Sequence, residues 1–457
     1  MMCAISVLLV SLLACASGFI SLTASWEAHS IGRRASPLRM MADKPKTFKR
    51  FMQVSTWRDP ELEALYPILL SIESSCRDIN RLTRRISSDG LSGLAGGAVN
   101  IQGEEQKQLD VVANRIMKTA LCGSGKVSII ASEEEDEACK CSDVVQNMAF
   151  NGEYAAVFDP LDGSSNLDSG LPTGTIFGIY KNPAYGSQND PDRDIVKQEG
   201  RELVVAGYCL YSAATHLVIT VRSGLHQFTL DDVTGDFYLT KENIKIPRVG
   251  SIYSFNAANQ DNWHHSTQKY FTDFSRGRVS TYDLAKRRNI VNRYNAVTKQ
   301  VYQEFESSTK ALYRQKQAEV ERLNEADVAS AGVATERAQA AAAAEITPIE
   351  ELDINSVKPS ARYMGALVAD AHNIICNGGI FAYPGTIAKP RGKIRLLYEA
   401  NPMAMIFEQG GGMASNGYQR ILDLPLPDIH MRTPCFFGSI ENVAALQRYS
   451  AFYDPEP

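Results

Sequence analysis

Histidine and cysteine are sparse here and badly spaced for the chemistry they usually announce. Seven histidines, His29, His216, His226, His264, His265, His372 and His430, fall in no zinc-ligand spacing, and no Ser-His-Asp or Cys-His signature surrounds them. Zinc sites and triad hydrolases are thereby excluded. Nine cysteines are spread over 457 residues without a CxxC pair. Setting aside Cys3 and Cys15 near the N-terminus leaves an odd seven, which read as reduced thiols and not as a disulfide frame. The one close pair, Cys139-Lys140-Cys141, keeps a redox switch open as the sharper alternative.

A basic excess is also missing. Lys and Arg number 47 against 52 Asp and Glu, and the first 50 residues take seven of the basic and two of the acidic side chains. The acidic remainder excludes nucleic acid or an anionic membrane as the main partner. No apolar run is long enough to span a bilayer, so no stable membrane association is expected. Cys3–Ala14 is of signal-peptide length, followed by small residues at Ala14, Ala16, Ser17 and Gly18, although no positive charge precedes it. Ser21–Met41 then carries Arg33, Arg34 and Arg39 with a single acid, Glu27, as transit segments do. With Phe19 at the junction, this arrangement resembles the two-part presequences of plastids bounded by extra membranes. Residues 1–45 are therefore expected to be a presequence and the mature protein soluble in a plastid stroma, a cytoplasmic location being the alternative.

The body is patterned as a layered α/β or α+β protein with a sheet in each half. From Asp59, apolar residues at Leu62, Leu65, Leu69, Ile72, Cys76, Ile79, Leu82 and Ile86 predict a helix, with a break or late start at Pro67. A Gly-rich loop follows at 90–103, then an amphipathic helix at Leu109–Leu121. Strands are expected at 127, 154, 174, 203, 215 and 225, with a polar, cysteine-free linker at 181–202. Residues 281–358 change composition to Lys, Arg, Glu, Gln and Ala, which predicts a solvated helical insertion whose partner, if any, is unknown. A helix at 361–375 and strands at 379–383 and 393–399 complete the pattern. The expected division is a domain at 46–247 and a second at 248–457, interrupted by the insertion.

Acids stand where strands end. VSIIAS runs into Glu133-Glu134-Glu135-Asp136, YAAVF into Asp159-Pro160-Leu161-Asp162, and KIRLLY into Glu399, while Glu104 lies in the Gly-rich loop and Asp110 at a helix start. Oxygen clusters of this kind bind hard divalent cations such as Mg²⁺. Asp159 and Asp162 flank a tight turn, and the amides of Gly163, Ser164 and Ser165 offer donors to a phosphate if they open a helix. Alternation along a strand at 393–399 would put Lys393, Arg395 and Glu399 on one face. With Arg362, Tyr363 and Tyr383, these residues suit a doubly phosphorylated, polyhydroxylated ligand; a surface salt-bridge ladder explains the 393–399 spacing equally well.

The strings ASEE at 131, FDPLDGSSN at 158, GTIFGIY at 174, VAGYCLYS at 205, GSIYSFNAAN at 250, SARYMGALVADAH at 360, GGIFAYPGT at 378, GKIRLLYEANPMA at 392 and ILDLPLPDIHMRTP at 421 together resemble the class 1 fructose-1,6-bisphosphatases. The resemblance runs from about residue 60 to 450 outside the insertion. It implies the sugar-phosphatase fold of alternating helix and sheet layers, and a homotetramer. It further implies two or three Mg²⁺ ions per subunit, for which Mn²⁺ can substitute, held by Glu104, Glu133, Asp159, Asp162, Glu399 and the Leu161 carbonyl. Those ions would clamp the 1-phosphate of fructose 1,6-bisphosphate and lower the pKa of the attacking water, with Glu134 and Asp110 as base and Arg395 balancing charge. Asn256, Tyr363, Tyr383 and Lys393 would hold the 6-phosphate, Arg362 reaching from a neighbouring subunit. Asp162, Gly163, Ser164 and Ser165 would meet the reacting end.

Departures bear on regulation. Ala64-Leu65-Tyr66 and Glu153-Tyr154 stand where animal members bind inhibitory AMP, and an acid facing a phosphate repels it. Chloroplast members place a cysteine-bearing loop where 181–202 has none. Neither AMP inhibition nor redox control through that loop is expected. A sedoheptulose-1,7-bisphosphatase or another phosphatase sharing DPxDG is the alternative reading, and a non-catalytic scaffold acting through the insertion is another.

Overall fold

The computed structural model describes residues 46–56, 60–86, 94–99, 105–145, 152–182, 198–279, 354–356 and 358–454. The presequence, most of the linker and nearly all of the insertion lie outside them. Thr47–Pro457 forms one compact unit.

The N-terminal helices are α1 (Phe48–Thr56), α2 (Pro60–Arg84), α3 (Gln108–Gly123) and the single turn α4 (Cys141–Val144). Pro67 sits inside an unbroken α2 that starts at Pro60, contrary to the expected break or late start. Burial of Leu65, Ile68, Leu69 and Ile72 offsets the one backbone hydrogen bond that proline forgoes. The Gly-rich stretch is also not all loop: β1 (Leu94–Val99) pairs antiparallel with β2 (Glu105–Lys107).

A mixed eight-stranded sheet comes next, built from β3 (Val127–Ser132), β4 (Cys139–Lys140), β5 (Tyr154–Asp162), β6 (Thr173–Lys181), β7 (Leu203–Tyr211), β8 (His216–Thr220), β9 (His226–Leu230) and β10 (Phe237–Lys241). Its spatial order is β10-β9-β8-β7-β6-β5-β3-β4, and the β3–β5 pair is parallel. The second half holds β11 (Ile252–Ser254), α5 (His265–Ser275), β12 (Ser360–Ala361), α6 (Leu367–Asn377), β13 (Gly379–Tyr383), α7 (Asn401–Gln409), β14 (Met413–Ser415), β15 (Cys435–Gly438) and α8 (Ile440–Tyr453). Its five strands run in the order β12-β11-β13-β15-β14.

Both sheets are buried on two faces, which is why their strands read as apolar runs and not as alternations. Neighbouring residues divide between cores. Phe158 and Phe177 face α1, α2 and α3, whereas Val157 and Ile176 face α6 and α7. On the second sheet Phe381 and Phe437 join that same middle core, while Ile380 and Phe436 turn to α5 and α8. The result is helix, sheet, helix, sheet, helix, as the resemblance implied.

Two expectations need correction. Residues 393–399 are not a strand: Leu396–Ala400 is a π-helical turn leading into α7. The apolar run misled because β and helical backbones both bury a Leu-Leu-Tyr sequence in a two-sided core. The cysteines are not all reduced either: Cys122 at the end of α3 and Cys141 at the start of α4 form a disulfide. They stand 19 residues apart, and only the packing of those two ends brings them together. Cys76, Cys139, Cys209, Cys376 and Cys435 are free.

The insertion leaves from one point. The Val279 amide donates to Asn355 Oδ1 at 2.8 Å and Asn355 Nδ2 donates back to the Val279 carbonyl at 3.0 Å, so the segment between them starts and ends side by side.

Candidate active site

Two adjacent parallel strands, β3 and β5, run out of sheet at the same end, so the residues just beyond them share one crevice. The Glu133 amide still donates to the Phe158 carbonyl at 3.2 Å, which carries the pairing one residue past β3 and delivers Glu133 and Glu134 beside Asp159–Asp162, which is the irregular end of strand β5 and not the expected tight turn. The π-helical turn brings Glu399 up from below. One carboxylate oxygen each from Asp159, Asp162 and Glu399 lie within 4.8 Å of one another. Three buried carboxylates that close repel unless protons or cations neutralise them.

Their titration reflects this. Burial, then repulsion from Glu133 and Asp162, holds the Asp159 carboxyl well above the usual range. Burial raises Asp162 to about 7 against the pull of the Val368 and Leu367 amides, which donate to it at 2.7 and 3.1 Å from the first turn of α6. Burial raises Glu399 to about 8 despite Arg395. Asp110, at the start of α3, is raised to about 6 by burial, with the Lys107 amide and Ser164 hydroxyl opposing. Its Oδ2 accepts the Lys107 amide at 2.8 Å, while its buried Oδ1 has no hydrogen bond of ordinary geometry. Arg395 is the cation at this end, 2.7 Å from Glu133. Its own amide donates to Glu399 Oε2 at 2.7 Å, because an i, i+4 pair shares a face on a helical turn as well. That is how Arg395 and Glu399 meet without the expected strand, while Lys393 lines the same cavity.

Asp110, Glu133, Glu134, Asp159, Leu161, Asp162, Glu399 and Arg395 line one end of a cavity of about 310 Å³. Gly163, Ser164 and Ser165 line it as well, Ser164–Ser169 being a short 3₁₀ helix. Gly163 has φ +76°, and a Cβ there would lie 2.5 Å from Ala366 Cβ. Only glycine permits that turn against α6. Tyr363, Tyr383 and Lys393 line the cavity as well, adding two phenols and an ammonium to the acid cluster. Burial and the neighbouring Tyr383 raise the Tyr363 phenol.

Not every candidate residue converges. Asn256 caps the 3₁₀ turn Ala257–Asn262, accepting the Ala258 amide at 3.0 Å, and is not among the cavity lining. Arg362 is exposed and donates to Ser360 Oγ and the Ala361 carbonyl at 2.8 and 2.7 Å, also outside it. Glu104 lies outside the described residues. Conversely, Gly365, Ala366, Leu367, Asp370, Phe381 and Ile394 line the cavity without having been singled out. Asp370 Oδ1 accepts Ser254 Oγ at 2.6 Å and the Met364 amide at 2.9 Å, and Oδ2 accepts the Gly365 amide at 3.0 Å. Its signal in the sequence was a lone acid in the apolar helix Leu367–Asn377, where a carboxylate can reach back to the turn before it.

Comparison with known proteins agrees along the whole body of the chain. A family model described as fructose-1,6-bisphosphatase, N-terminal domain, matches residues 46–242, and its C-terminal counterpart matches 246–451. The chloroplastic fructose-1,6-bisphosphatase of Pisum sativum is 37% identical over 399 residues, covering 84% of this chain and 78% of that protein. The cytosolic enzyme of Brassica napus is 35% identical over 407 residues, covering 88% and 94%. The crystal structure of Leishmania major fructose-1,6-bisphosphatase in holo form superposes with a TM-score of 0.66 at 28% identity, covering 89% of this chain and 99% of that one. With both of its halves matched in order by the two family models and a relative 37% identical over 84% of its length, the chain belongs to the fructose-1,6-bisphosphatase family.

Proposed function

We propose that this chain hydrolyses the 1-phosphate of fructose 1,6-bisphosphate, giving fructose 6-phosphate and phosphate, with Mg²⁺ as cofactor. One observation carries the reading: a tight ring of carboxylates shares a cavity with a Lys and two Tyr. Hard oxygen donors buried at this density fit divalent magnesium or manganese and suit no softer ion. Glu133, Asp159, Asp162, Glu399 and the Leu161 carbonyl would hold two or three such ions, Glu104 joining them. When bound, the ions supply charge stabilisation on phosphoryl oxygens and a lowered pKa for water.

The chain's own residues do the rest. Glu134, with Asp110 beside it, takes the proton of the attacking water. Arg395 orients Glu133 and Glu399 through its guanidinium and its amide. The amides and hydroxyls of Gly163, Ser164 and Ser165, with Asp162, position the reacting end of the sugar. Lys393, Tyr363 and Tyr383, which line the cavity, grip the far phosphate. Arg362, exposed and outside its own cavity, serves a neighbouring subunit of a homotetramer. Residues 1–45 direct the chain to a plastid, a location supported by its chloroplastic relatives, although a cytosolic relative matches about as well. Its place in carbohydrate metabolism is then sugar-phosphate turnover of the gluconeogenic and Calvin-cycle kind.

The test is phosphate release from fructose 1,6-bisphosphate by the purified chain, with and without Mg²⁺, beside Glu134→Gln and with AMP added. Release that needs metal, fails in the variant and ignores AMP is expected. Folded protein that prefers sedoheptulose 1,7-bisphosphate, or releases nothing, overturns the assignment.

A further inference from the structure

Asp159 and Asp162 stand three positions apart, an odd number, and on a regular strand they would point to opposite faces of the sheet. They nevertheless share one cavity. The pairing with β6 explains how: Asp159 lies opposite Ile176 and Asp162 opposite Gly174, so Pro160 and Leu161 together face the single residue Thr175. One extra residue on β5 is a β-bulge, and it reverses the parity so that both acids turn the same way.

A bulge loses ladder hydrogen bonds, and Pro160 has no amide to give. The Thr175 side chain makes good the deficit. Its hydroxyl donates to the Pro160 carbonyl at 2.8 Å, and its oxygen lies 2.8 Å from the Tyr211 hydroxyl. Since threonine has a single hydroxyl proton and it goes to Pro160, Tyr211 is the donor to Thr175. All three residues are buried: Thr175 has no exposed surface and Tyr211 only 4%. The other side of the same peptide is tied down as well, the Leu161 amide donating to Asp159 Oδ1 at 2.9 Å.

We propose that Thr175, backed by Tyr211, is a positioning residue that locks the Asp159–Asp162 bulge and so sets the spacing of the two carboxylates for divalent cations. The inference rests on the reading that those acids bind metal. It does not concern a residue that touches substrate, and the sugar-binding end should be indifferent to it.

The experiment compares Thr175→Val, Thr175→Ser and Tyr211→Phe with the unaltered chain. Mn²⁺ binding is measured directly from the free-ion electron paramagnetic resonance signal, with activity against Mg²⁺ concentration and melting curves alongside. Thr175→Val should weaken Mn²⁺ binding and raise half-saturating Mg²⁺ about tenfold, with KM for the sugar bisphosphate unchanged at saturating metal. Thr175→Ser keeps the hydroxyl and should stay within about twofold, Tyr211→Phe falling between. A folded Thr175→Val that binds Mn²⁺ normally, or a serine variant as weak as the valine one, overturns the proposal. If the valine variant does not fold, Tyr211→Phe decides: weakened Mn²⁺ binding upholds the proposal and unchanged binding overturns it. Asp159→Asn separates the two readings. Loss of Mn²⁺ there beside an unaffected Thr175→Val sinks the positioning role alone, whereas an unaltered chain that binds no Mn²⁺ sinks both.

Discussion

The Arg395 guanidinium stands 2.7 Å from Glu133 Oε1 and 3.9 Å from Glu399 Oε2, a single buried cation between two acids that arrive from different halves of the sequence. Asp159, Asp162 and Asp110 crowd the same end of the cavity. The cluster carries more negative charge than one arginine can balance, which is the condition under which a site recruits divalent ions.

Arg395→Met should therefore behave differently with and without metal. Removing one partner of a buried ion pair costs about 3–5 kcal/mol, because the acids left behind lose their compensation. In Mg²⁺-free buffer the variant should melt well below the unaltered chain, and added Mg²⁺ should raise its Tm by more than it raises the parent's. Calorimetry with and without Mg²⁺ checks this, and equal metal shifts would count against a shared charge balance.

Gly163→Ala tests the lining of the cavity beside α6. The substitution places a methyl 2.5 Å from Ala366 Cβ at a φ of +76°, so either the turn or α6 must move. A loss of about 1–3 kcal/mol is expected, with a larger proportional loss of turnover, since Ser164 and Ser165 come directly after it. Normal turnover in a destabilised Gly163→Ala would mean that this stretch does not position the substrate.

The Cys122–Cys141 disulfide closes the stretch of chain that includes Glu133 and Glu134. Near this loop Asn114 Nδ2 donates to Glu135 at 2.7 Å and Lys118 pairs with the same carboxylate at 2.5 Å, so α3 already braces the acids without the bridge. Converting both cysteines to serine should lower stability by about 3 kcal/mol, the value for a loop of this length, and leave turnover within about twofold. Chemical denaturation and steady-state rates measure the two separately. A large drop in turnover at unchanged stability would reveal the bridge as a control on the acids.

How much of the fold was legible in the sequence depends on how far each signal reaches along the chain. The six strands expected between 127 and 230 are short-range patterns of β-branched and aromatic residues, and all six are present. The acids were legible because Glu133 directly follows one apolar strand and Asp159 comes directly after the apolar run of another, a position local to each. Short strands such as Cys139–Lys140 and Ser360–Ala361 were not, because two residues carry no periodicity. Leu396–Ala400 was misread because periodicity cannot separate a buried strand from a buried helical turn. Cys122–Cys141, the capping of α6 by Asp162 and the reach of Asp370 to Ser254 are contacts between distant segments, which only the folded packing creates.

His372 offers a test by pH away from the cavity. Its Nδ1 meets the Tyr208 hydroxyl at 2.7 Å, its ring stacks on His216 with centroids 5.3 Å apart, and Cys376 Sγ lies 3.6 Å from its Nε2. Burial, followed by His216 and Lys241, lowers it from 6.5 to about 3. Above pH 7 neither folded nor unfolded chain protonates it and it contributes nothing to pH dependence. Below about 6.5 the unfolded chain takes up a proton that the folded chain refuses, so stability falls as pH drops toward 3, by at most about 1.4 kcal/mol per pH unit. His372→Gln keeps a polar partner for Tyr208 and removes the titration. Urea midpoints of the two proteins between pH 7.5 and 5 should converge on the acid side, the unaltered chain losing more. Effects of the cavity acids cancel in that difference, and midpoints that run parallel would show that His372 titrates normally in the fold.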